Sequence, residues 1–278
     1  MDIKAFKMDG LGNDFVIIDN RQKVTELSKE QIIKICDRNF VGCDQLILIE
    51  KDENTDAYLK FFNSDGGESG ACGNGTRCVA DLISKEKNDK TVILTTSSGN
   101  LKSEILENNV VTTEIGKAKT KWNDIPLSNE LNTKNLNIKI KDSNNREYYG
   151  GTAINVGNPH VIFFVEKIEK NKLENDSREL LKLNLFPNGV NINVVKLISR
   201  NEINVLTYER GVGLTQACGS GAGASAFASF KMNYCNKDIK VFMPGGNLNV
   251  EISKDEHILT IGDAAVVFEG NINLEGYI

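Results

Sequence analysis

ACGNGTRCVA at residues 71–80 returns as ACGSGAGASA at residues 217–226, and the fold is decided by reading the two together. Each copy sets a cysteine, Cys72 or Cys218, between an alanine and a Gly-x-Gly, then runs into a stretch with helical character. The interval from Cys72 to Cys218 also separates Gln45 from Asn191 and Asn63 from Glu209. Asn13 in LGNDF and Asn158 in VGNPH are one residue short of it. One Gly-rich coincidence is chance. Four polar pairs in step across most of each half mark an internal duplication.

Bulk composition narrows the class. A chain of 278 residues fills two ordinary domains, and 40% hydrophobic with 26% charged residues is the balance of a soluble globular protein. A net charge of −5, with Lys and Arg scattered, argues against nucleic acid or an anionic membrane as partner. The opening MDIKAFKMDG has no apolar core of a secretory signal, and no apolar run approaches the roughly 18 residues of a membrane span. Six cysteines without a C-x-x-C, beside only two histidines, suit neither a disulfide scaffold nor a zinc site. The expected compartment is the reducing cytoplasm.

Along the chain, residues 4–19 read as strand, Gly-rich turn and strand, with Asn13 at the turn's end. Residues 28–39 read as an amphipathic helix, Ser28 its N-cap and Gln31 completing a capping box, with Ile32, Ile33, Ile35 and Cys36 as the buried stripe. Strands follow at 42–50, with Gln45 at the mouth, and from 58 to Asn63; a turn then delivers the chain to Cys72 and a helix to about Lys87. Cys36 and Cys43 precede no helix start and read as packing residues. TVILTT, LKSEIL and VVTTEI are strands, and the aperiodic 116–137 is the crossover between halves. The second half repeats the logic, with strands at 153–165, 189–198 and 202–211 and a polar helix at 171–182. GAGASAFASFKM (221–232) is small or apolar on every side, as a helix wrapped by a sheet requires, and the remaining segments are strands.

The repeated cysteines carry the chemistry. Unpaired N–H groups and the dipole at a helix start favour thiolate over thiol, so both pKa values are expected below the ordinary value of about 8.5. The N–H groups of Gly73, Asn74, Gly219 and Ser220 offer two anion sites for one substrate carboxylate. A carbon held there, between two sulfurs, loses its α-proton to one thiolate and regains one from the opposite thiol, which inverts the centre. Asn13, Gln45, Asn63, Asn158 and Asn191 supply amides, Glu209 accepts an ammonium group, and Arg210 holds a second carboxylate. His160 lies beside this set and reads as orienting a thiol. No lysine stands out as the anchor of a pyridoxal cofactor, and neither cofactor nor metal is expected.

In these motifs the chain resembles the diaminopimelate epimerase family: LGNDF, the DQ of GCDQ, FFN, CGNG, GNPH, YERG and ACGSG occur in order over the whole length. The resemblance implies an α/β (α+β) fold of two pseudo-symmetric domains, each a curved, barrel-like, mostly antiparallel sheet wrapped around a central helix. The halves are expected at 1–118 and 119–264, with the strand 265–278 returning to the first. It further implies Cys72 and Cys218 as the acid–base pair, with His160 and Glu209 as auxiliary catalytic residues. Substrate would be held by Asn13, Gln45, Asn63, Gly73, Asn74, Asn158, Asn191, Glu209, Arg210, Gly219 and Ser220. The family converts LL- to meso-diaminopimelate, on the route to lysine and peptidoglycan, without cofactor or metal; a homodimer is compatible with this reading. Asp9, Cys43 and Thr76 depart from the family's usual residues but remove no donor and no thiol.

Other readings fit less of the chain. Proline, hydroxyproline or histidine racemases share the fold, but proline racemase-like chains typically carry histidine where Asn74 stands. Isomerases related to phenazine biosynthesis lack the thiol pair. A binding module for a dicarboxylic amino acid would need neither thiol, and a thiol–disulfide oxidoreductase would need C-x-x-C.

Overall fold

The computed structural model describes residues 2–23, 26–70, 72–141 and 147–273. They form two compact units: the described residues up to Glu114 together with those from Ile261 onward, and Ile115–Thr260. Residues 274–278 of the expected returning strand lie outside the described residues.

In the first unit, Asp2–Gly10 pairs antiparallel with both Asn13–Asp19 and the C-terminal strand Ala265–Asn273. Asn13–Asp19 then pairs parallel with Gln45–Glu50, Gln45–Glu50 antiparallel with Ala57–Asn63, and Ala57–Asn63 parallel with Thr91–Thr96. Thr91–Thr96 continues antiparallel into Gly99–Ile105. Parallel neighbours need a crossover, and each of the two contains a helix: α1 (Lys29–Cys36) and α2 (Gly73–Lys87).

The second unit repeats that order of pairings. Thr152–Asn155 is antiparallel to Pro159–Phe164, which is parallel to Asn191–Ser199 across α3 (Lys170–Lys182). Asn191–Ser199 is antiparallel to Glu202–Glu209, which is parallel to Asp238–Met243 across α4 (Gly219–Lys231). Asp238–Met243 is antiparallel to Gly246–Ile252. Strand pairing in both units is mixed, with antiparallel ladders in the majority.

Local sequence explains the helix ends. Ser28 and Gln31 close the capping box, their side chains and backbones exchanging bonds of 3.2 and 2.9 Å. α1 stops at Cys36 rather than Asn39, because Asp37 turns extended and its carboxylate accepts the Asn39 N–H at 2.9 Å. Ile32, Ile35 and Cys36 share the buried face at helical spacing, whereas Ile33 is 42% exposed, a correction to the expected stripe. α2 ends on Asn88 in the left-handed conformation.

α2 is the core of its unit, its Cys78, Val79, Ala80 and Ile83 packing on Phe15, Ile17, Ile47, Leu59 and Phe61. α1 covers a separate cluster with Ile18, Leu46 and Leu48. Cys36 and Cys43 meet there at 3.4 Å, both buried as free thiols, which fits packing. α4 is buried from Gly219 to Ser229 apart from the half-buried Ser220, so its small residues admit sheet on every side. Among the described residues, no helix is long and apolar enough to cross a membrane.

Candidate active site

Both repeated cysteines are helix N-caps in extended conformation, Cys72 for α2 and Cys218 for α4. The sheets place the other candidates around them in two groups, one on each unit.

On the first unit, the tight turn at Gly10–Asn13, with Leu11 and Gly12 at positive φ, presents the Asn13 amide to the Cys72 sulfur at 3.9 Å. Asp14 anchors that turn. Burial alone would raise its carboxyl, but two 2.7 Å bonds from Arg38 and an ion pair with Lys7 reverse this and hold it well below the usual range. Gln45 and Asn63 face each other across their ladder, joined by a 2.9 Å amide bond. Asn74 is buried in the first turn of α2, its carbonyl oxygen accepting a 2.7 Å bond from the fully buried Arg77. A side chain at Gly73 would meet nothing within 4 Å, so the start of α2 is open on that side.

Three amide atoms here are buried without a hydrogen-bond partner among the described residues: Asn13 Oδ1, Gln45 Oε1 and Asn74 Nδ2. Buried polar atoms are rarely left unsatisfied. Two acceptors and one donor waiting in one residue group suit an ammonium and a carboxylate.

On the second unit, Cys218 is 5% exposed. Its sulfur accepts the Gly221 N–H at 3.3 Å and lies 3.5 Å from Ser220 Oγ. Asn158 Nδ2 donates to the same hydroxyl at 3.3 Å, and His160 Nε2 lies 2.9 Å from Asn158 Oδ1 and 3.2 Å from Ser220 Oγ. Asn191 is fixed by the Pro159 carbonyl at 3.2 Å and takes the Arg210 backbone N–H at 2.9 Å. The exposed Arg210 guanidinium bonds the Asn188 carbonyl at 2.6 Å.

The expectation of a depressed thiol pKa is corrected for Cys218. Burial and then the neighbouring Glu209 carboxylate push it well above an ordinary thiol, and the donors Ser220 and Gly221 only partly offset them. Desolvation outweighs the helix terminus when a sulfur is this enclosed. Burial raises the Glu209 carboxyl as well.

His160 is fully buried, and burial pushes its pKa from 6.5 down to about 3. The depressed value gives a sign: this contribution to stability is present above pH 6.5 and is lost as pH falls toward about 3. Over that window the wild type should lose up to about 1.4 kcal/mol per pH unit more than a His160→Gln variant. Urea unfolding of both proteins at stepped pH reads the difference, in which acid-sensitive groups common to both, such as Asp14, cancel. Parallel pH dependences would contradict a buried neutral imidazole.

Three residues around the site escaped the sequence reading. Arg77 lies inside the quoted motif and is fully buried, against the usual exposure of arginine. Asn193 Nδ2 meets His160 Nδ1 at 3.1 Å, and Asn193 Oδ1 accepts from Thr207 Oγ1 at 2.9 Å. The available signal was the repeat, because aligning the halves sets Asn193 and Thr207 against Ile47 and Phe61.

Comparison with known proteins bears on the whole chain. The family profile described as diaminopimelate epimerase matches residues 5–121 and 152–267. The diaminopimelate epimerase of Pelagibacter ubique is 54% identical over 274 residues, covering 99% of this chain and 100% of that one. That of Acidiphilium cryptum is 37% identical over 268 residues, covering 96% and 95%. In fold alone, the chain is similar to a hydroxyproline epimerase from Agrobacterium vitis, with TM-score 0.70, 13% identity and 98% and 92% coverage. A PhzC/PhzF protein from Clostridium difficile gives TM-score 0.66 at 17% identity, covering 98% and 99%.

Proposed function

Because the chain belongs to the diaminopimelate epimerase family, we propose that it interconverts LL- and meso-2,6-diaminopimelate by moving one α-proton between two thiols, Cys72 and Cys218. The observation that carries this is two N-cap cysteines together with Asn13 Oδ1, Gln45 Oε1 and Asn74 Nδ2, atoms buried without a hydrogen-bond partner among the described residues. The first half of the duplication brings Cys72 and these amides; the second brings Cys218, Glu209 and Arg210.

In this reading the reacting carboxylate lies on the N–H groups of Gly73, Asn74, Gly219 and Ser220, which also hold the enediolate formed as the proton leaves. Asn13, Gln45, Asn63, Asn158 and Asn191 fix the rest of the molecule. Glu209, beside Cys218, receives an ammonium group, and Arg210 holds the second carboxylate. The burial that keeps Cys218 protonated suits it to donate first, with Cys72 as base; reversal of the reaction swaps the two. The His160 ring, neutral at the pH of catalysis, orients its neighbours. No step calls on a metal or an organic cofactor. We place the enzyme in the cytoplasm, where its thiols stay reduced.

Proton NMR of the reduced enzyme with LL-diaminopimelate in D₂O tests the proposal. The α-proton signal should vanish as the meso isomer appears. Exchange with proline or histidine, and none with diaminopimelate, would keep the thiol pair and move the substrate. No exchange with any of them would end the enzymatic reading.

A further inference from the structure

The two halves set different chemistry beneath their thiol-bearing helices. A methyl group added at Gly75 of α2 would meet Ile47 Cδ1 at 2.7 Å, Phe61 Cε1 at 3.0 Å and Phe15 Cε1 at 3.3 Å. At the equivalent Gly221 of α4 it would meet Asn193 Oδ1 at 2.7 Å and Thr207 Oγ1 at 2.8 Å. The repeat interval carries Gly75 to Gly221, Ile47 to Asn193 and Phe61 to Thr207. Phe15 and His160 each follow their half's turn asparagine by two residues, and they pair along equivalent parallel ladders with Gln45 and Asn191. The hydrocarbon triad Phe15–Ile47–Phe61 is thus replaced by His160–Asn193–Thr207, which is equally buried.

Packing alone does not account for the exchange. One half of the same fold holds its helix on two aromatic rings and an isoleucine, and buried polar groups weaken a core unless every one is satisfied. These are satisfied, and in one direction. Thr207 Oγ1 donates to Asn193 Oδ1, while Asn193 Nδ2 faces the Val161 and Asn191 carbonyls at 3.3 and 3.5 Å. The amide orientation is fixed by these partners. An amide nitrogen only donates, so His160 Nδ1 accepts and the ring proton sits on Nε2. Nε2–H donates to Asn158 Oδ1, which leaves Asn158 Nδ2 to donate to Ser220 Oγ. With the His160 proton committed to Asn158 Oδ1 and Asn158 Nδ2 donating to the Ser220 oxygen, the hydroxyl proton is free to turn to the Cys218 sulfur at 3.5 Å.

We infer that Asn193 and Thr207 are positioning residues which, through His160, Asn158 and Ser220, aim a hydroxyl donor at the sulfur of Cys218. The inference rests on the proposal that Cys218 is one of the two acid–base thiols. The donor favours the sulfur when it has given up its proton, against the burial and the Glu209 carboxylate that disfavour that state. Burial first, and then the Arg210 charge, disfavour an imidazolium and so keep Nδ1 an acceptor for Asn193. Cys72, above hydrocarbon, is served differently, so the two thiols of the duplicated fold are chemically distinct.

The tautomer is measurable without turnover. The chain has only two histidines, so imidazole ¹⁵N spectra are assigned by a His257→Gln variant. His160 should remain neutral with its proton on Nε2 from about pH 5 to about pH 8. A proton on Nδ1, or a ring titrating inside that range, would overturn the inference. Thr207→Val, close to isosteric, and Asn193→Ala should each shift the His160 spectrum toward the other tautomer. They should lower kcat about tenfold while KM changes about twofold or less, as expected for a role in proton transfer. Unchanged spectra in both variants, or a loss confined to KM, would also overturn it. The kinetic arm uses whichever amino acid exchanges its α-proton with the wild type. A wrong substrate would therefore fail in the D₂O experiment and leave the tautomer result standing.

Discussion

Cys72→Ala and Cys218→Ala should each lower epimerisation by about 10³-fold or more while still binding diaminopimelate. Inversion needs a base on one face of the α-carbon and an acid on the other, so one sulfur cannot do both tasks. The losses should not add: the double variant should be about as inactive as either single one, because the thiols act as a unit. A finer signature separates two-base chemistry from one mobile base. Each single variant retains a sulfur able to remove the proton on its own face and return solvent deuterium there. Each should wash the α-proton from one stereoisomer without inverting it, and the two variants should select opposite stereoisomers. NMR in D₂O, started from LL- and from meso-diaminopimelate, reads both results. Persistent inversion in either variant would remove the two-thiol mechanism.

Gly221→Ala should destabilise the protein by about 3 kcal/mol, although alanine is the better helix former by about 1 kcal/mol. The added carbon would sit 2.7 Å from Asn193 Oδ1 and 2.8 Å from Thr207 Oγ1, two atoms bonded to each other and enclosed. Making room means breaking that bond and leaving both groups buried, on top of the strain of overpacking. The Gly221 N–H that supports the Cys218 sulfur would move too, so turnover should fall alongside stability. Gly75→Ala meets the flexible tip of Ile47 first and two aromatic rings next, and should be milder, about 1–2 kcal/mol. The midpoints of urea unfolding order the two variants. A Gly221→Ala protein as stable as wild type would be incompatible with the packing of α4 on Asn193 and Thr207.

Much of the architecture was legible because it rests on local rules or on repetition. Ser28 and Gln31 announce a helix start by side-chain reach, and the small, apolar stretch after Cys218 announces a helix with no solvent face. Ile33 was misplaced because four apolar residues in five positions exceed the width of one helix face, and sequence alone does not rank them. Asn63 and Gln45 were recognised separately, but their direct pairing depends on the register of strands joined by a loop.

By itself, then, the sequence determined the duplication, the two cysteines at helix starts and the amide-rich set around them, since these follow from spacing and residue type. Only the tertiary structure decided the upward push on the Cys218 thiol, the burial of His160 with its lowered pKa, and the hydrogen-bonded chain of partners that runs from Thr207 to Ser220. The physical reason is common to all three. A pKa and a tautomer depend on how much water is excluded and which donors are brought within about 3 Å, and those partners come from strands far apart in the chain.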